Sequence, residues 1–389
     1  MRYTTMTLPA FQQKYLHASD LAAIAGKVLA GQRISVEDGR RLYATRDLTA
    51  LGILANWKRE QLNGNRAYFI INRYINQTNV CTAGCTFCAF ARVPGEAGGY
   101  TLAIEQIKHK ILHETPEECC EVHMVGGLNP EVPYEYYLDC VRAIKEANPK
   151  LHVKAYTMVE IAFLQEHSGK SIDEVLKDLR EAGVGSFPGG GAEIFDHKVR
   201  DEVCAGKIDG EMWINTARKV HQSGFHSTCT MLYGHVETRE DRLDHLDQLR
   251  KLQDETHGFD CFVPLAFHNK NTRYEATIPP TTGEEDLKTY AVSRLMLDNI
   301  PHLHAHWITV GPALAQIALG WGVDDIGGTL VEETIHHEAG SETPQGMTKN
   351  DLIHLILRAG RAPIQRDTLY NIIREYGPDG TPITRAVAA

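Results

Sequence analysis

The chain has 389 residues, 43% hydrophobic and 23% charged, the composition of an ordinary soluble globular protein with room for one large domain or two smaller ones. Its net charge of −10 argues against non-specific nucleic-acid binding, which needs basic surface to neutralise phosphates. No run of about 18 apolar residues occurs, and the opening "MRYTTMTLPAFQQKYLHASD" lacks the basic-then-apolar layout of a secretory signal, so neither a membrane helix nor export is expected, and the expected address is cytoplasmic.

Residues 1–65 read as helical, with apolar residues at three and four spacing in "DLAAIAGKVLAGQ" and "LTALGILANWKREQLNG". "SVEDGRRL" opens like a capped helix, with Ser35 at the cap and Asp38 three residues on. From residue 66 short apolar runs alternate with helical patterns. The predicted strands are 67–75, 121–127, 151–158, 184–190, 227–234, 261–267, 304–310 and 324–329. Between them lie amphipathic stretches such as 171–183, ending in the "AG" of a helix stop, and 283–299. Strand followed by helix, repeated about eight times, predicts an α/β fold with a parallel sheet closed into a (β/α)₈ barrel, a TIM-type barrel that could be partly open. The expected domains are a helical extension (1–65), the barrel (66–330) and a C-terminal extension packing on it (331–389). The two extensions are expected to cover the barrel ends.

In such a fold chemistry gathers where strands end. The first predicted strand runs into "CTAGCTFC", with Cys81, Cys85 and Cys88; the second into "GGLNP"; the third into "MVE"; the fourth into "PGGGAE"; the fifth into "YGHVET"; and the sixth into "FHNKNT". Nine cysteines in 389 residues are too sparse for a disulfide scaffold. Three thiolates within eight positions suit an iron–sulfur cluster, which with only three protein ligands keeps one iron open to a substrate or cofactor. The alternative is a structural zinc site completed by a distant Cys119, Cys120 or His113.

"PGGGAEIF" lacks the Lys-Ser/Thr ending of a phosphate loop. Its Gly189, Gly190 and Glu193 suit a nucleoside and its ribose, although Glu193 could instead cap a helix. Glu160 carries the same two readings. Gly126 and Gly127 permit close backbone approach to a ligand. His235 and His268 stand at rim positions, as does Asn269. Arg73 and Arg92 flank the cysteines and offer cationic partners to an anionic substrate.

The C-x₃-C-x-Φ-C motif after a first barrel strand resembles that of the radical S-adenosylmethionine enzymes. The resemblance implies that Cys81, Cys85 and Cys88 hold a [4Fe–4S] cluster, one per chain. The fourth iron is then chelated by the amine and carboxylate of S-adenosylmethionine, which acts as co-substrate. It places Phe87 near the adenine, and Gly126 and Gly127 at the methionyl amine; Glu160, Gly189, Gly190 and Glu193 are the further candidates for contact with this ligand, with the helix-cap reading of the two acids still open. Many members carry an acidic residue after the two glycines, where this chain has Leu128.

Beyond the cluster motif, "VKAYTMVEI", "VPLAFHNKNT" and "GRAPIQRDTLYN" are most similar to the branch of aminofutalosine synthases. That branch adds a 5′-deoxyadenosyl radical to the double bond of 3-[(1-carboxyvinyl)oxy]benzoate, with rearrangement and decarboxylation, on the futalosine route to menaquinone. The implied electron donor is a flavodoxin or ferredoxin, and no nucleic-acid or membrane partner is expected. His235, His268 and Arg73 are then the expected catalytic residues, and Asn269 and Arg92 the expected substrate contacts. The alternatives are a dehypoxanthine futalosine cyclase, a deazaflavin-forming synthase of the same subgroup, or a zinc-binding structural protein.

Overall fold

A computed structural model describes residues 8–383; the rest of both predicted extensions, 1–7 and 384–389, lies outside the described residues. Four helices come first: α1 (Ala10–Ala18), α2 (Ala22–Leu29), α3 (Val36–Ala44) and α4 (Leu48–Asn63). The predicted start of α3 is present as a full capping box. The Asp38 backbone N–H donates to Ser35 Oγ at 3.1 Å, and the Ser35 N–H donates to Asp38 Oδ2 at 2.9 Å. Helices α3 and α4 lie against the barrel's outer helices Arg239–Thr256 and Gly283–Met296. Gly39 of α3 fits there because a Cβ would stand 2.6 Å from Leu243.

The barrel begins with one interrupted strand, β1 (Arg66–Ile70) and β2 (Asn72–Ile75). It continues through β3 (Glu121–Met124), β4 (His152–Ala155), β5 (Val184–Ser186), β6 (Ser227–Tyr233), β7 (Phe259–Ala266), β8 (His302–Leu303) and β9 (Asp325–Gly328). Pairing is parallel throughout: β2 to β3 to β4 to β5, β6 to β7 to β8, and β9 back to β1. The seams between these groups are held by the single parallel bridges Phe187–Ser227 and His304–Asp325. With β1–β2 taken as one strand, the ring is a partly open (β/α)₈ barrel.

The interrupted strand changes partner at Ile71. Below it, β1 pairs with β10 (Ala362–Arg366), while above it β2 pairs with β3. Strand β10 turns back antiparallel into β11 (Ile372–Glu375). The C-terminal segment is therefore part of the sheet at the barrel's N-terminal end. There the Arg366 Nε–H donates to Asp325 Oδ2 at 2.6 Å, and the Tyr370 hydroxyl donates to the same oxygen at 2.8 Å.

One predicted strand, 304–310, is displaced. The strand is β8, His302–Leu303, and Trp307–Val310 is a helical turn. Buried Trp307 donates its indole N–H to Gly328 O at 3.0 Å, which ties this turn under the end of β9. A run of buried apolar residues has no periodicity that separates a strand from a buried turn.

Barrel interiors are usually filled by branched aliphatic residues. Here Asn72, Tyr74, Glu121, His123, Lys154 and His304 occupy inward positions on β2, β3, β4 and the end of β8. The interior is accordingly a cavity rather than a plug.

Candidate active site

The cavity opens at the C-terminal rim and runs down to Arg366 and Tyr370, with a volume of about 310 Å³, within the range of small-molecule sites. Cys81, Cys85 and Cys88 all line it, on the loop that leaves β2. The loop is clipped at both ends: the Cys81 N–H donates to Arg92 O at 2.8 Å, and the Arg92 N–H to Asn79 O at 2.8 Å. Within it the Cys88 N–H donates to Cys85 O at 3.2 Å, a tight turn that sets those two residues on one side. Burial pushes the Cys85 thiol up to about 12, against the pull of the nearby Lys207 ammonium. Cys88 is raised by burial too, and the proximity of Cys81 adds to it.

Two glycines form the floor on which this loop rests. A Cβ at Gly127 would lie 2.1 Å from Val80 O and 3.0 Å from Cys81 Cβ, and one at Gly206 would lie 2.2 Å from Ala83 O. Gly126 donates its N–H to Glu160 Oε1 at 3.1 Å, and Gly127 its N–H to Thr78 O at 2.8 Å. With both N–H groups used, this turn has its carbonyls to offer a ligand. Glu160 is fixed from a second side by a capping box with Thr157, whose N–H donates to Glu160 Oε2 at 2.7 Å. Burial raises its carboxyl to about 7, and the N–H groups of Thr157 and Gly126 oppose that rise.

Across the cavity mouth, Glu193 accepts from Lys207 Nζ at 2.6 Å. Burial works against the carboxylate, but the adjacent Lys207 outweighs it and holds Glu193 below its ordinary range. Glu193 has φ +46°, a left-handed conformation that turns its side chain toward Lys207 at a site where glycine is commoner. The same ammonium stands 5.2 Å from the centre of the Phe87 ring. Gly189 passes so close to β6 that a Cβ would lie 2.4 Å from Cys229 Cα. Glu121, His123 and Lys154 line the cavity from β3 and β4 inside the barrel, with His304 just past β8, and His268, His306, Glu333 and His336 line it from the segments that follow β7, β8 and β9.

Residues 75–249 match the family model of the radical SAM superfamily, and 256–377 match that of the CofH/MqnC C-terminal region. The chain is 47% identical over 359 residues to an aminodeoxyfutalosine synthase of Thermus thermophilus, which covers 92% of this chain and 96% of the relative. It is 43% identical over 364 residues to that of Streptomyces coelicolor, covering 91% and 94%. The chain belongs to the radical S-adenosylmethionine superfamily. Methylornithine synthase shares the fold, with a TM-score of 0.68 at 20% identity over 87% of this chain and 96% of that one.

Enzymes of this superfamily bind a [4Fe–4S] cluster and S-adenosylmethionine. The donor set fits the cluster: three thiols on one loop, at the wall of the cavity and against a glycine floor that leaves the loop no room to shift. Among the described residues no three His, Cys, Asp or Glu side chains converge on a point that one metal ion could fill. A four-iron cluster takes each thiolate on a different iron, so its ligands have no need to converge.

Of the residues singled out in the sequence, the cavity brings together Cys81, Cys85, Cys88, Phe87, Gly126, Gly127, Glu160, Gly189, Gly190, Glu193 and His268. His268 is held by Thr309 O at 2.8 Å. Arg73, Arg92, His235 and Asn269 lie outside the lining. Arg73 faces outward because side chains alternate along β2 and its neighbours Asn72 and Tyr74 face in. It bonds Glu114 and Glu332 on the barrel's outside. Arg92 donates to Ala89 O at 2.8 Å and Ala91 O at 2.9 Å, bracing the loop beyond Cys88. His235 is enclosed between Leu232 O at 3.1 Å and Glu237 at 3.2 Å. Asn269 donates to Ile278 O at 2.7 Å within its own loop.

Lys207, Lys154 and the histidines at 123, 304, 306 and 336 went unnoticed in the sequence. The inward phase of β3 and β4 could have pointed to His123 and Lys154, because polar residues in a predicted central strand are unusual. Nothing local marks Lys207. No helix among the described residues is long and apolar enough to cross a membrane.

Proposed function

We propose that this chain is an aminodeoxyfutalosine synthase. It joins the adenosyl group of S-adenosylmethionine to the double bond of 3-[(1-carboxyvinyl)oxy]benzoate, with rearrangement and loss of a carboxyl group, on the futalosine route to menaquinone. The single observation that carries the reading is near-full-length identity with two synthases of that name, extending across barrel and C-terminal region alike. Cys81, Cys85 and Cys88 would hold the cluster, which would supply the electron for reductive cleavage of S-adenosylmethionine.

The chain's own residues do the rest by position. Carbonyls of the Gly126–Gly127 turn receive the methionyl amine. Glu193, kept ionised by Lys207, faces the ribose side, and Phe87 packs by the adenine. Holding the adenosyl carbon and the alkene within about 3–3.5 Å makes the addition effectively intramolecular. The barrel wall keeps water from the reacting centre. A flavodoxin or ferredoxin in the cytoplasm supplies the electron. The C-terminal segment acts as one unit with the barrel, since β10 pairs with β1, and the helical extension packs on the barrel's outer helices.

The test is an anaerobic incubation of cluster-loaded protein with reductant, S-adenosylmethionine and the vinyl ether. An adenosyl adduct lacking CO₂ is expected by mass. Release of free 5′-deoxyadenosine in its place would reject the synthase in favour of a hydrogen-abstracting cyclase.

A further inference from the structure

Lys154 sits on β4 inside the barrel with 8% of its surface exposed, and it lines the cavity. Its nearest acidic atom is Glu121 Oε2 at 3.9 Å, too far for a hydrogen bond. Glu121 is meanwhile engaged by Asn72 Nδ2 at 3.1 Å. The ammonium thus faces the cavity with no hydrogen-bond acceptor among the described residues, an unfavourable setting for a largely buried charge. An anion entering the cavity relieves this, and a carboxylate supplies two acceptor oxygens at once.

The neighbours are arranged for such a guest. Tyr74, His123 and Lys154 are direct partners across β2, β3 and β4 and form one inward row. His304 stands at the end of β8 with Nε2 buried and without a hydrogen-bond partner. Burial lowers His123 to about 4 and His304 to about 3, so at neutral pH both are uncharged rings able to donate one N–H. Arg366, the other cation at this depth, is already committed to Asp325 and to Asp367 O at 3.0 Å. Lys154 is thus the cation with free donors at this level. It lies within the barrel, below the rim that carries the cysteines, so it meets the part of a substrate remote from the reacting end.

We propose that Lys154 anchors the aromatic carboxylate of the substrate, the end remote from the double bond that reacts, with His123 and His304 as flanking donors. This rests on the substrate assigned above.

The test compares binding of the vinyl ether with that of 2-phenoxyacrylate, which lacks the aromatic carboxylate, to cluster-loaded protein under anaerobic conditions. The unaltered protein is expected to prefer the full substrate by roughly 10- to 100-fold, the worth of a charged hydrogen bond. Lys154→Met should bring that ratio to about one, and Lys154→Arg should restore part of it. An unchanged ratio in Lys154→Met, with iron content and circular dichroism preserved, overturns the proposal. Benzoate alone serves as a probe independent of the reaction. If the unaltered protein forms no adduct from the vinyl ether, the synthase reading fails; benzoate binding that Lys154→Met abolishes still supports the carboxylate anchor. Benzoate that binds neither protein, or both equally, rejects it.

Discussion

Gly127 lies directly against the carbonyl of Val80, so that a Cβ on the glycine would stand 2.1 Å from that oxygen. The contact joins the loop after β3 to the loop that carries the cysteines. Gly127→Ala must therefore push the cysteine loop away or distort its own backbone, at a cost of about 1–3 kcal/mol. Anaerobically reconstituted Gly127→Ala is expected to hold less iron per chain than the unaltered protein, while its far-UV circular dichroism is retained.

Cysteine position separates ligands from packing. Cys85→Ala is expected to abolish both the brown colour and adduct formation, because Cys85 stands on the cavity wall. Cys140→Ala should keep both, since Cys140 is fully buried in the helix Tyr134–Ala147. Iron analysis and the visible spectrum decide; loss of iron in Cys140→Ala, or its retention in Cys85→Ala, contradicts the assignment.

Glu160 makes stability depend on pH. Its carboxyl is raised to about 7 by burial, against an ordinary 4.5, so the folded protein binds a proton that the unfolded chain gives up. The stabilisation is fully present below about pH 4.5 and is lost as pH rises through about 7. Between those limits the unfolding free energy should fall, relative to Glu160→Gln, by about 3 kcal/mol. Denaturant titrations of both proteins without S-adenosylmethionine measure this; parallel curves across the range would exclude a raised Glu160.

Arg73 was expected in catalysis from the sequence, but it works from the outside of the barrel through Glu114 and Glu332. Arg73→Leu is expected to lower stability by about 1–3 kcal/mol, since it strips charged hydrogen bonds from two half-exposed carboxylates. The KM for the vinyl ether should be unchanged. A raised KM at unaltered stability would place Arg73 on the substrate after all.

What could be read from the sequence was local or periodic. The spacing of Cys81, Cys85 and Cys88 implies one short loop whatever surrounds it. The capping pair Ser35–Asp38 and the helix stop at Gly183 involve residues within one turn of each other. The strand–helix repeat sets the parallel barrel, and with it the rim where the glycine turns collect.

Tertiary structure decided the phase and the partners. Arg73 and Tyr74 are adjacent in sequence, yet one is buried on the sheet's outer face against Glu114 and Glu332 and the other lines the cavity, because a strand's two faces are told apart only by what packs on them. The register of β3 on β4 sets His123 beside Lys154, and the register of β1 on β10 brings Arg366 to the barrel floor. Lys207 reaches Glu193 and Phe87 only because the chain after the helix His197–Val203 folds back onto the cysteine loop. The cysteine loop was determined by residues a few positions apart. The chemistry of the cavity beneath it comes from side chains of separate strands, which meet only when the barrel closes.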